Sequence, residues 1–224
     1  QVGFTSPPYD FDAAPSDFLR ICPDTVGVHG WMMHDPEYNH ELGQRKKNFH
    51  QLEEFVHCMS RNGVDVCGQV GSNWVHASGL GVEGIRLFCE KLTVKYKTKF
   101  IMAGYAMVEA LRHMNVERIA LNAVYHWPEW WQGTVNFLTE AGFNVVWAGN
   151  FVDQGWFKTQ KEVNEKRWVF EGDLAEKSFL YVAEQAPNVD VYIINGMCNF
   201  KTGNNEQPQR PVHLEVKLET LLGK

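Results

Sequence analysis

A single thiol in a short polar turn is the residue of this chain best suited to proton transfer. Cys198 stands between Gly196 and Asn199, just after the apolar run of residues 189–194. An apolar run that ends in small and polar residues is typical of a buried strand followed by a turn. Open α/β sheets bind their ligands at the carboxyl ends of such strands. The pattern therefore predicts that Cys198 acts as an acid or base on a small molecule.

A second apolar run ends in the same way. Residues 64–70 are followed by Gly71, Ser72 and Asn73, which predict a tight turn after a buried strand. Gly71 suits a backbone conformation of positive φ, and Ser72 and Asn73 suit a turn or a helix cap as well as a binding role. Two strand ends that could face one cleft favour a small-molecule site over a packing role.

Composition argues against several classes of function. The 224 residues are 44% hydrophobic and 21% charged, which is ordinary for a globular protein. The net charge of −6 and the scattered cations argue against a nucleic-acid partner. No apolar run approaches the roughly 18 residues of a membrane span. The five cysteines are irregularly spaced, which favours free thiols in a reducing cytoplasm.

The histidines do not form a recognisable metal site. His29, His34 and His40 are spaced by five and six residues in a predicted loop. On the predicted helices, no His-x-x-x-His pair carries a neighbouring acid. The chain also lacks the glycine-rich signatures of dinucleotide and nucleotide phosphate binding. We therefore predict no metal site, and we keep His34 and His76 as candidate bases.

Strand and helix patterns alternate along the chain. Strands are predicted at Val2–Thr5, Thr25–Trp31, Val64–Val70, Lys99–Met102, Arg118–Ala123, Asn144–Ala148 and Val189–Ile194. Helices are predicted at residues 45–61, 82–96, 106–114, 127–141, 173–185 and 214–222, with a loop over residues 6–24. The cations at 45–47 are interpreted as a solvated helix start. Strands separated by helices favour parallel sheets with helices on both faces.

Two such series follow one another, which indicates two similar α/β lobes with a cleft between them. We assign residues 1–114 to the first lobe and residues 115–210 to the second. Residues 211–224 form a predicted C-terminal helix.

Four segments carry a resemblance to a known family. Residues 4–8 resemble its first strand and Pro-Pro turn, and residues 63–73 resemble its "G-A-D-V … G-T-S" segment. Residues 110–121 resemble "G-L-R-A-L-G-V-R-R-V-A-L", and residues 190–202 resemble a segment that often ends in "S-C-T-N-F-R-T". In this order they are similar to the aspartate/glutamate/hydantoin racemase superfamily, in the branch of arylmalonate decarboxylase and maleate isomerase.

The resemblance implies an α/β fold of two pseudo-symmetric lobes, each a parallel sheet flanked by helices, with the active site in the cleft between them. It also implies that a thiol gives or takes a proton beside a carboxylate, without a cofactor. Racemases and maleate isomerase use a cysteine from each lobe, whereas arylmalonate decarboxylase has glycine at the first position. Gly71 occupies that position here. A two-cysteine racemase is disfavoured, because racemising both hands needs an acid or base on each face.

The resemblance also implies roles for the candidate residues. Ser72 and Asn73 match the pair that holds the substrate carboxylate, and Tyr125 matches a tyrosine that donates to the same group. Trp31 lies where the decarboxylase branch has an apolar loop that desolvates the departing carboxylate. Further substrate contacts are expected from Pro7, Gly71, Gly196 and Asn199. Tyr125 could instead be an ordinary aromatic at a strand end, and Trp31 a core residue.

The register of Cys198 leaves its role open. Counting back from Asn199 places the family cysteine at Met197, and counting forward from Asp190 places it at Gly196. Cys198 therefore matches if the turn is shifted by one or two residues. A free cysteine can also be a buried, inert residue.

We predict a cofactor-independent decarboxylase or isomerase of a small carboxylate or dicarboxylate, in which Cys198 protonates an enediolate-like intermediate. The alternatives are a carboxylate-binding protein without catalysis, and a racemase, lyase or hydrolase with another base such as His34 or His76. The last residues resemble the family helix that precedes a final strand. We therefore expect a truncated lobe whose open sheet edge favours a homo-oligomer.

Overall fold

The computed structural model describes two α/β units. The described residues are 1–8, 14–39, 41–124, 127–166, 169–195, 199–201 and 208–209. The chain divides into compact units at Gln1–Ala110 and Leu111–Lys224. Each unit contains a parallel sheet flanked by helices, so the predicted α/β class is confirmed. A site in a cleft between the lobes stays a prediction.

Four strands form the sheet of the first unit. The elements in chain order are β1 Val2–Ser6, α1 Ala14–Ile21, β2 Val28–Met32, α2 Leu42–Asn48, α3 Gln51–Arg61, β3 Val66–Gln69, α4 Trp74–Ala77, α5 Gly81–Tyr96, β4 Lys99–Met102 and α6 Ala103–His113. The strand order is β2-β1-β3-β4, and the three pairings are parallel. The segments that follow these strands therefore begin at one edge of the sheet.

Helix α3 packs its apolar face against this sheet. Leu52, Phe55 and Val56 are fully buried, at the three- and four-residue spacing of one helical face. The Phe55 ring meets the Phe100 ring of β4 edge-on, with 6.4 Å between ring centres. Gly3 allows the close approach of helix and strand, because a Cβ there would lie 2.9 Å from the Met59 sulfur.

The second unit has a parallel sheet and a smaller mixed sheet. Its elements are β5 Arg118–Ala123, α7 Pro128–Glu140, β6 Asn144–Asn150, α8 Gln160–Glu165, β7 Val169–Glu171, α9 Gly172–Gln185, β8 Val191–Asn195, β9 Asn199–Lys201 and β10 Pro208–Gln209. The parallel sheet has the order β6-β5-β8. Strand β9 pairs in parallel with β7 and antiparallel with β10. Residues 119–123 of β5 are buried, as expected for a central strand covered on both faces.

Two predictions about the first unit are wrong. The predicted loop over residues 6–24 contains helix α1, which is stabilised by an edge-on contact between Phe18 and Phe4 at 5.3 Å. The helix predicted over residues 45–61 is two helices, α2 and α3. Side chains at the junction take up helix carbonyls: Asn48 donates to the Gln44 carbonyl, and the His50 ring contacts the Lys47 carbonyl at 2.9 Å. Such local bonds compete with continuous helix.

The cations at 45–47 are not a helix start. They lie in the last turn of α2, where positive charge complements the negative end of the helix dipole. Lys46 and Lys47 are exposed, but Arg45 is buried.

The helix predicted at 214–222 lies outside the described residues. Among the helices that are described, none combines the length and the apolar character that a membrane crossing needs.

Candidate functional site

The turn after β3 has the geometry that the sequence predicts. Gly71 has a φ of +95°, a conformation that L side chains rarely adopt. Ser72 and Asn73 complete the turn, and α4 begins at Trp74. Asn73 is buried, and among the described residues its side chain makes no capping hydrogen bond to α4. Capping therefore does not explain Asn73.

Gln69, which the sequence analysis did not single out, anchors this turn from inside the protein. Its side chain is 2% exposed. The amide Nε2 donates to the Val70 carbonyl and, at 3.0 Å, to the Gly71 carbonyl. A glutamine at the end of an apolar strand, directly before a glycine turn, is the signal that could have indicated this role.

The sheet register brings three predicted binding segments to one edge. Thr5 of β1 lies opposite Trp31 of β2 on one side and opposite Gln69 of β3 on the other. Pro7 follows Thr5 by two residues and is buried, and Gly71 follows Gln69 by two residues. The carboxyl edge of the first sheet therefore collects the segments that contain Pro7, Trp31 and Gly71.

The loop after β2 is held by buried polar side chains. Gln51 bonds both backbone groups of His34, accepting from its N–H at 2.8 Å and donating to its carbonyl at 3.0 Å. Asn48 donates to Asp35 at 2.6 Å, and the Lys47 amine lies 3.6 Å from the same carboxylate. The pKa of Asp35 is lowered, first by the Asn48 bond and further by the Glu37 N–H and Lys47, against the opposing effect of burial. This loop is therefore fixed in place.

The residues of that loop have different environments. The Trp31 ring is half-buried and lies 5.9 Å from the Phe55 ring. Met33 is a core residue, whereas His34 is exposed. Trp31 thus combines a partial core position with a face that remains accessible at the sheet edge.

A buried cation lies close to the turn. Arg45 of α2 is 5% exposed, and its guanidinium carbon lies 6.0 Å from the centre of the Trp74 ring. A cation over an aromatic face is attracted by the electron density of the ring. Positive charge is therefore present beside the first residue after the Gly71-Ser72-Asn73 turn.

Three further titratable side chains of the first unit, those of Cys67, Cys89 and His76, have their titratable atoms shielded from solvent. Burial raises the pKa of Cys67 to about 12 and that of Cys89 to about 11. Both ring nitrogens of His76 are closed to solvent. The two buried thiols are thus neutral at physiological pH and poor nucleophiles.

The predicted catalytic residues of the second unit follow two adjacent strands. Tyr125, Gly196 and Cys198 themselves lie outside the described residues. Ala123, the last residue of β5, pairs with Asn195, the last residue of β8. The two parallel strands therefore end side by side, at the same edge of the sheet. Asn199 begins β9 and pairs with Val169 of β7.

A closed ring of hydrogen bonds lies behind this strand end. Asn122 of β5 donates to the Ser178 hydroxyl at 2.6 Å, Ser178 donates to Gln154 at 2.6 Å, and Gln154 donates back to Asn122 at 2.7 Å. The Trp156 ring nitrogen also donates to Gln154, at 2.8 Å. All three members of the ring are buried. The ring ties β5, α9 and the loop after β6 together, and no sequence motif indicates it.

Within the described residues, no group of three or more His, Cys, Asp or Glu side chains is arranged to hold a metal ion.

The fold matches solved structures of two kinds of enzyme. Arylmalonate decarboxylase matches with a TM-score of 0.62 at 15% identity, over 86% of this chain and 74% of that chain. Maleate cis-trans isomerase from Nocardia farcinica, bound to TRIS, has a TM-score of 0.59 at 17% identity, over 88% and 77%. A cysteine-to-serine mutant of that isomerase, with a covalently bound succinylcysteine intermediate, has a TM-score of 0.58 at 15% identity, over 86% and 76%. No protein-family model and no curated protein matches the sequence.

These matches define the class of fold. The chain has the α/β fold found in arylmalonate decarboxylase and maleate isomerase, and the predicted resemblance to that branch is confirmed at the level of the fold.

Proposed function

We propose that the protein is a cofactor-independent enzyme that acts on a small carboxylate or dicarboxylate, with decarboxylation favoured over isomerisation. The observation that carries the proposal is the backbone of Gly71. Its φ of +95° disfavours a cysteine there, at the position where a two-thiol enzyme of this fold would need one. We assign the proton transfer to Cys198, the cysteine that the family resemblance places in the second lobe.

The proposed reaction begins with carboxylate binding. Ser72, Asn73 and Tyr125 hold one carboxylate of a malonate-type substrate, and the second carboxylate lies toward the apolar surface that includes Trp31. Loss of carbon dioxide breaks the bond between the α-carbon and the second carboxylate. The electron pair of that bond passes into the retained carboxylate, which becomes an enediolate. Fixed hydrogen-bond donors stabilise this charge as it develops.

Cys198 completes the reaction. Its thiol gives a proton to the α-carbon, and the thiolate then regains a proton from water. A thiol suits this step because its ordinary pKa, near 8.5, lets it donate and recover a proton close to neutral pH. The buried thiols Cys67 and Cys89 do not suit it, because burial raises both of their pKa values.

The isomerase alternative uses the same thiol differently. The cysteine-to-serine mutant of the Nocardia farcinica isomerase carries a succinylcysteine, which is a cysteine with a succinyl group covalently attached. Addition of the Cys198 thiolate to maleate, rotation about the resulting single bond and elimination of the thiolate would give fumarate without a net proton change. Release of carbon dioxide from a malonate distinguishes decarboxylation from this route.

Turnover and binding should be measured on the same variants. Aryl and alkyl malonates, maleate, hydantoins and amino acids would be screened for carbon dioxide release, loss of the maleate absorbance and change of optical rotation. Cys198→Ala should lose at least a hundredfold in kcat and still bind the substrate in a calorimetric titration. Cys58→Ala is the matched control, because Cys58 is a half-buried free thiol on α3. Full turnover by Cys198→Ala would contradict the mechanism.

The same variants test the non-catalytic alternative. A carboxylate-binding protein would bind one of these acids without turning it over, and Cys198 would react with iodoacetamide at the same rate with and without the acid. An enzyme of the proposed kind should show a reactive Cys198 that the bound acid protects. The homo-oligomer and the cytoplasmic location remain parts of the prediction.

A further inference from the structure

We propose that Gln69 is a positioning residue that turns two consecutive backbone N–H groups, those of Gly71 and Ser72, toward the bound carboxylate. This inference deepens the proposed function and rests on it for the identity of the ligand. It concerns a residue that takes no part in the proton transfer and lies behind the turn.

The contacts of Gln69 set the direction of two peptide groups. Its buried Nε2 donates to the carbonyl oxygens of Val70 and Gly71, and the second of these bonds is 3.0 Å long. An amide nitrogen carries two hydrogens, so it can serve both acceptors. Both carbonyls therefore point inward, toward the side chain of Gln69.

Peptide geometry then decides where the N–H groups point. In a trans peptide the carbonyl of one residue and the N–H of the next point in opposite directions, and the described residues contain no cis peptide. The Gly71 N–H is therefore directed away from Gln69, because the Val70 carbonyl is directed toward it. The Ser72 N–H is directed away for the same reason, because its peptide partner is the Gly71 carbonyl.

Two successive N–H groups on the same side of the chain form a concavity that attracts anions. Gly71 lies between these two groups, and its positive φ is a backbone conformation that favours glycine. The carbonyl oxygens, which would repel a carboxylate, are on the opposite side. The two peptide groups beside Gly71 thus direct their N–H ends, and not their carbonyl oxygens, to the side away from Gln69.

The second polar atom of Gln69 supports a functional reason for the amide. Within the described residues, Oε1 is buried and has no hydrogen-bond partner. A buried acceptor without a partner is costly, and an apolar side chain of the same shape would avoid the cost. A glutamine at this place is explained if the orientation of the two carbonyls matters more than the stability lost at Oε1.

The amide orientation of Gln69 is determined by its surroundings. Exchange of Oε1 and Nε2 would place an oxygen acceptor against two carbonyl oxygens, which is repulsive. A Cβ at Gly71 would lie 3.7 Å from Nε2 and 3.4 Å from Trp74 Cδ1, so the amide also forms part of the surface that packs beneath Gly71.

The test compares variants of Gln69 with a control that is destabilised elsewhere. Gln69→Leu removes the amide and keeps the size of the side chain. Gln69→Glu keeps the shape of the side chain and the Oε1 acceptor, but it replaces the donor Nε2 with a second acceptor, and at neutral pH a charge, against the two carbonyls. Thr93→Val is the control, because the Thr93 hydroxyl also fixes backbone in this unit, donating to Cys89 and accepting from Phe100 N–H. Urea unfolding of each variant confirms that it is folded.

Malonate and sulfate serve as anion probes. In the unmodified protein both should shift the amide resonances of Gly71 and Ser72 in ¹⁵N spectra. Gln69→Leu should weaken malonate binding about ten- to a hundredfold, whereas Thr93→Val should change it less than twofold. Gln69→Glu should bind sulfate weakly at pH 7 and regain affinity as the pH falls and the carboxyl is protonated, because a protonated carboxyl can donate to a carbonyl. Sulfate is the probe for this comparison because it keeps its charge over the pH range in which malonate takes up a proton. A purely structural role would lower the stability in urea without weakening malonate binding by the folded protein.

The outcomes separate the inference from the proposed function. Unchanged malonate affinity in Gln69→Leu, or Gly71 and Ser72 resonances that neither probe moves in the unmodified protein, would overturn the inference even if the protein turned over a carboxylate. If the probes move both resonances and Gln69→Leu abolishes the shifts, the inference holds. In that case the inference about Gln69 holds even if the protein turns over no carboxylate in the screen and the proposed function is wrong.

Discussion

Ala123 of β5 and Asn195 of β8 lie directly opposite each other in adjacent parallel strands. Because the two strands run in the same direction, the segments that follow them begin at one edge of the sheet. Tyr125 is two residues beyond the first strand end, and Cys198 is three residues beyond the second. The residue proposed to stabilise charge and the residue proposed to transfer the proton therefore belong to segments that follow neighbouring strand ends.

Replacement of Tyr125 by phenylalanine should lower kcat/KM about a hundredfold on whichever carboxylate the protein turns over. In the proposed mechanism the phenol donates to the charge that develops on the carboxylate, and loss of one such donor has an effect of about this size. Tyr181→Phe is the matched control, because that tyrosine lies on α9 with its ring 6.4 Å from Trp147. Steady-state kinetics of both variants would check the prediction. An equal effect of the two substitutions would contradict a specific role for Tyr125.

Gly71→Ala should destabilise the protein by about 1–2 kcal/mol, because an L side chain is strained at a φ of +95°. Gly71→Cys should lower the free energy of unfolding by a similar amount, because the same strain disfavours a second thiol at this position. Urea unfolding measures both. Gly30→Ala is the control, since Gly30 lies in β2 and a Cβ there meets nothing within 4 Å. Equal stability of Gly71→Ala and the unmodified protein would show that the turn accommodates a side chain.

Cys67 and Cys89 should resist alkylation in the folded protein. Burial raises their pKa values to about 12 and about 11, so almost no thiolate is present at pH 8. Iodoacetamide labelling followed by peptide mass spectrometry should find both residues unmodified in buffer and modified in urea. Cys58, which is half-buried, provides the comparison within the same sample. Labelling of Cys67 in buffer as fast as Cys58 would contradict the prediction.

Asp35 should make the stability of the protein depend on pH in the acid range. Its pKa is lowered from an ordinary value of 3.8, so folding favours the ionised carboxylate. A lowered pKa stabilises the folded state above the ordinary value, and this contribution is lost as the pH falls through the folded-state pKa. Asp35→Asn should therefore be less stable than the unmodified protein at pH 7. The difference should shrink below pH 4 in urea unfolding.

Asp24→Asn, at an exposed position, is the control for the Asp35 measurement. The stability difference between Asp35→Asn and the unmodified protein could instead stay constant from pH 7 to pH 3. That result would contradict the prediction, because it would assign the lost stability to packing and not to the charge of Asp35.

The regular elements were largely predictable, because their apolar patterns are strong. The strand predicted at Lys99–Met102 has those bounds in the structure, and so does the strand at Arg118–Ala123. Helix α1 was not predictable in this way. Its eight residues are stabilised by the contact of Phe18 with Phe4, and local sequence carries no information about that partner.

The candidate site was predictable only in part. The Gly71-Ser72-Asn73 turn follows from the sequence, since a glycine after a buried strand indicates positive φ and small polar residues indicate a turn. The burial of Arg45 does not follow from it. A run of three cations is usually solvated, and the position of Trp74 against α2 decides which of the three is buried.

The sequence alone determined the alternation of strands and helices, the glycine turn after β3 and the presence of a thiol after β8, because each of these is a local pattern. Only the tertiary structure decided that Thr5 lies between Trp31 and Gln69, and that the side chain of Gln69 is buried. The register of parallel strands depends on helices that intervene between them, so residues far apart in the chain become neighbours only when the whole sheet has formed.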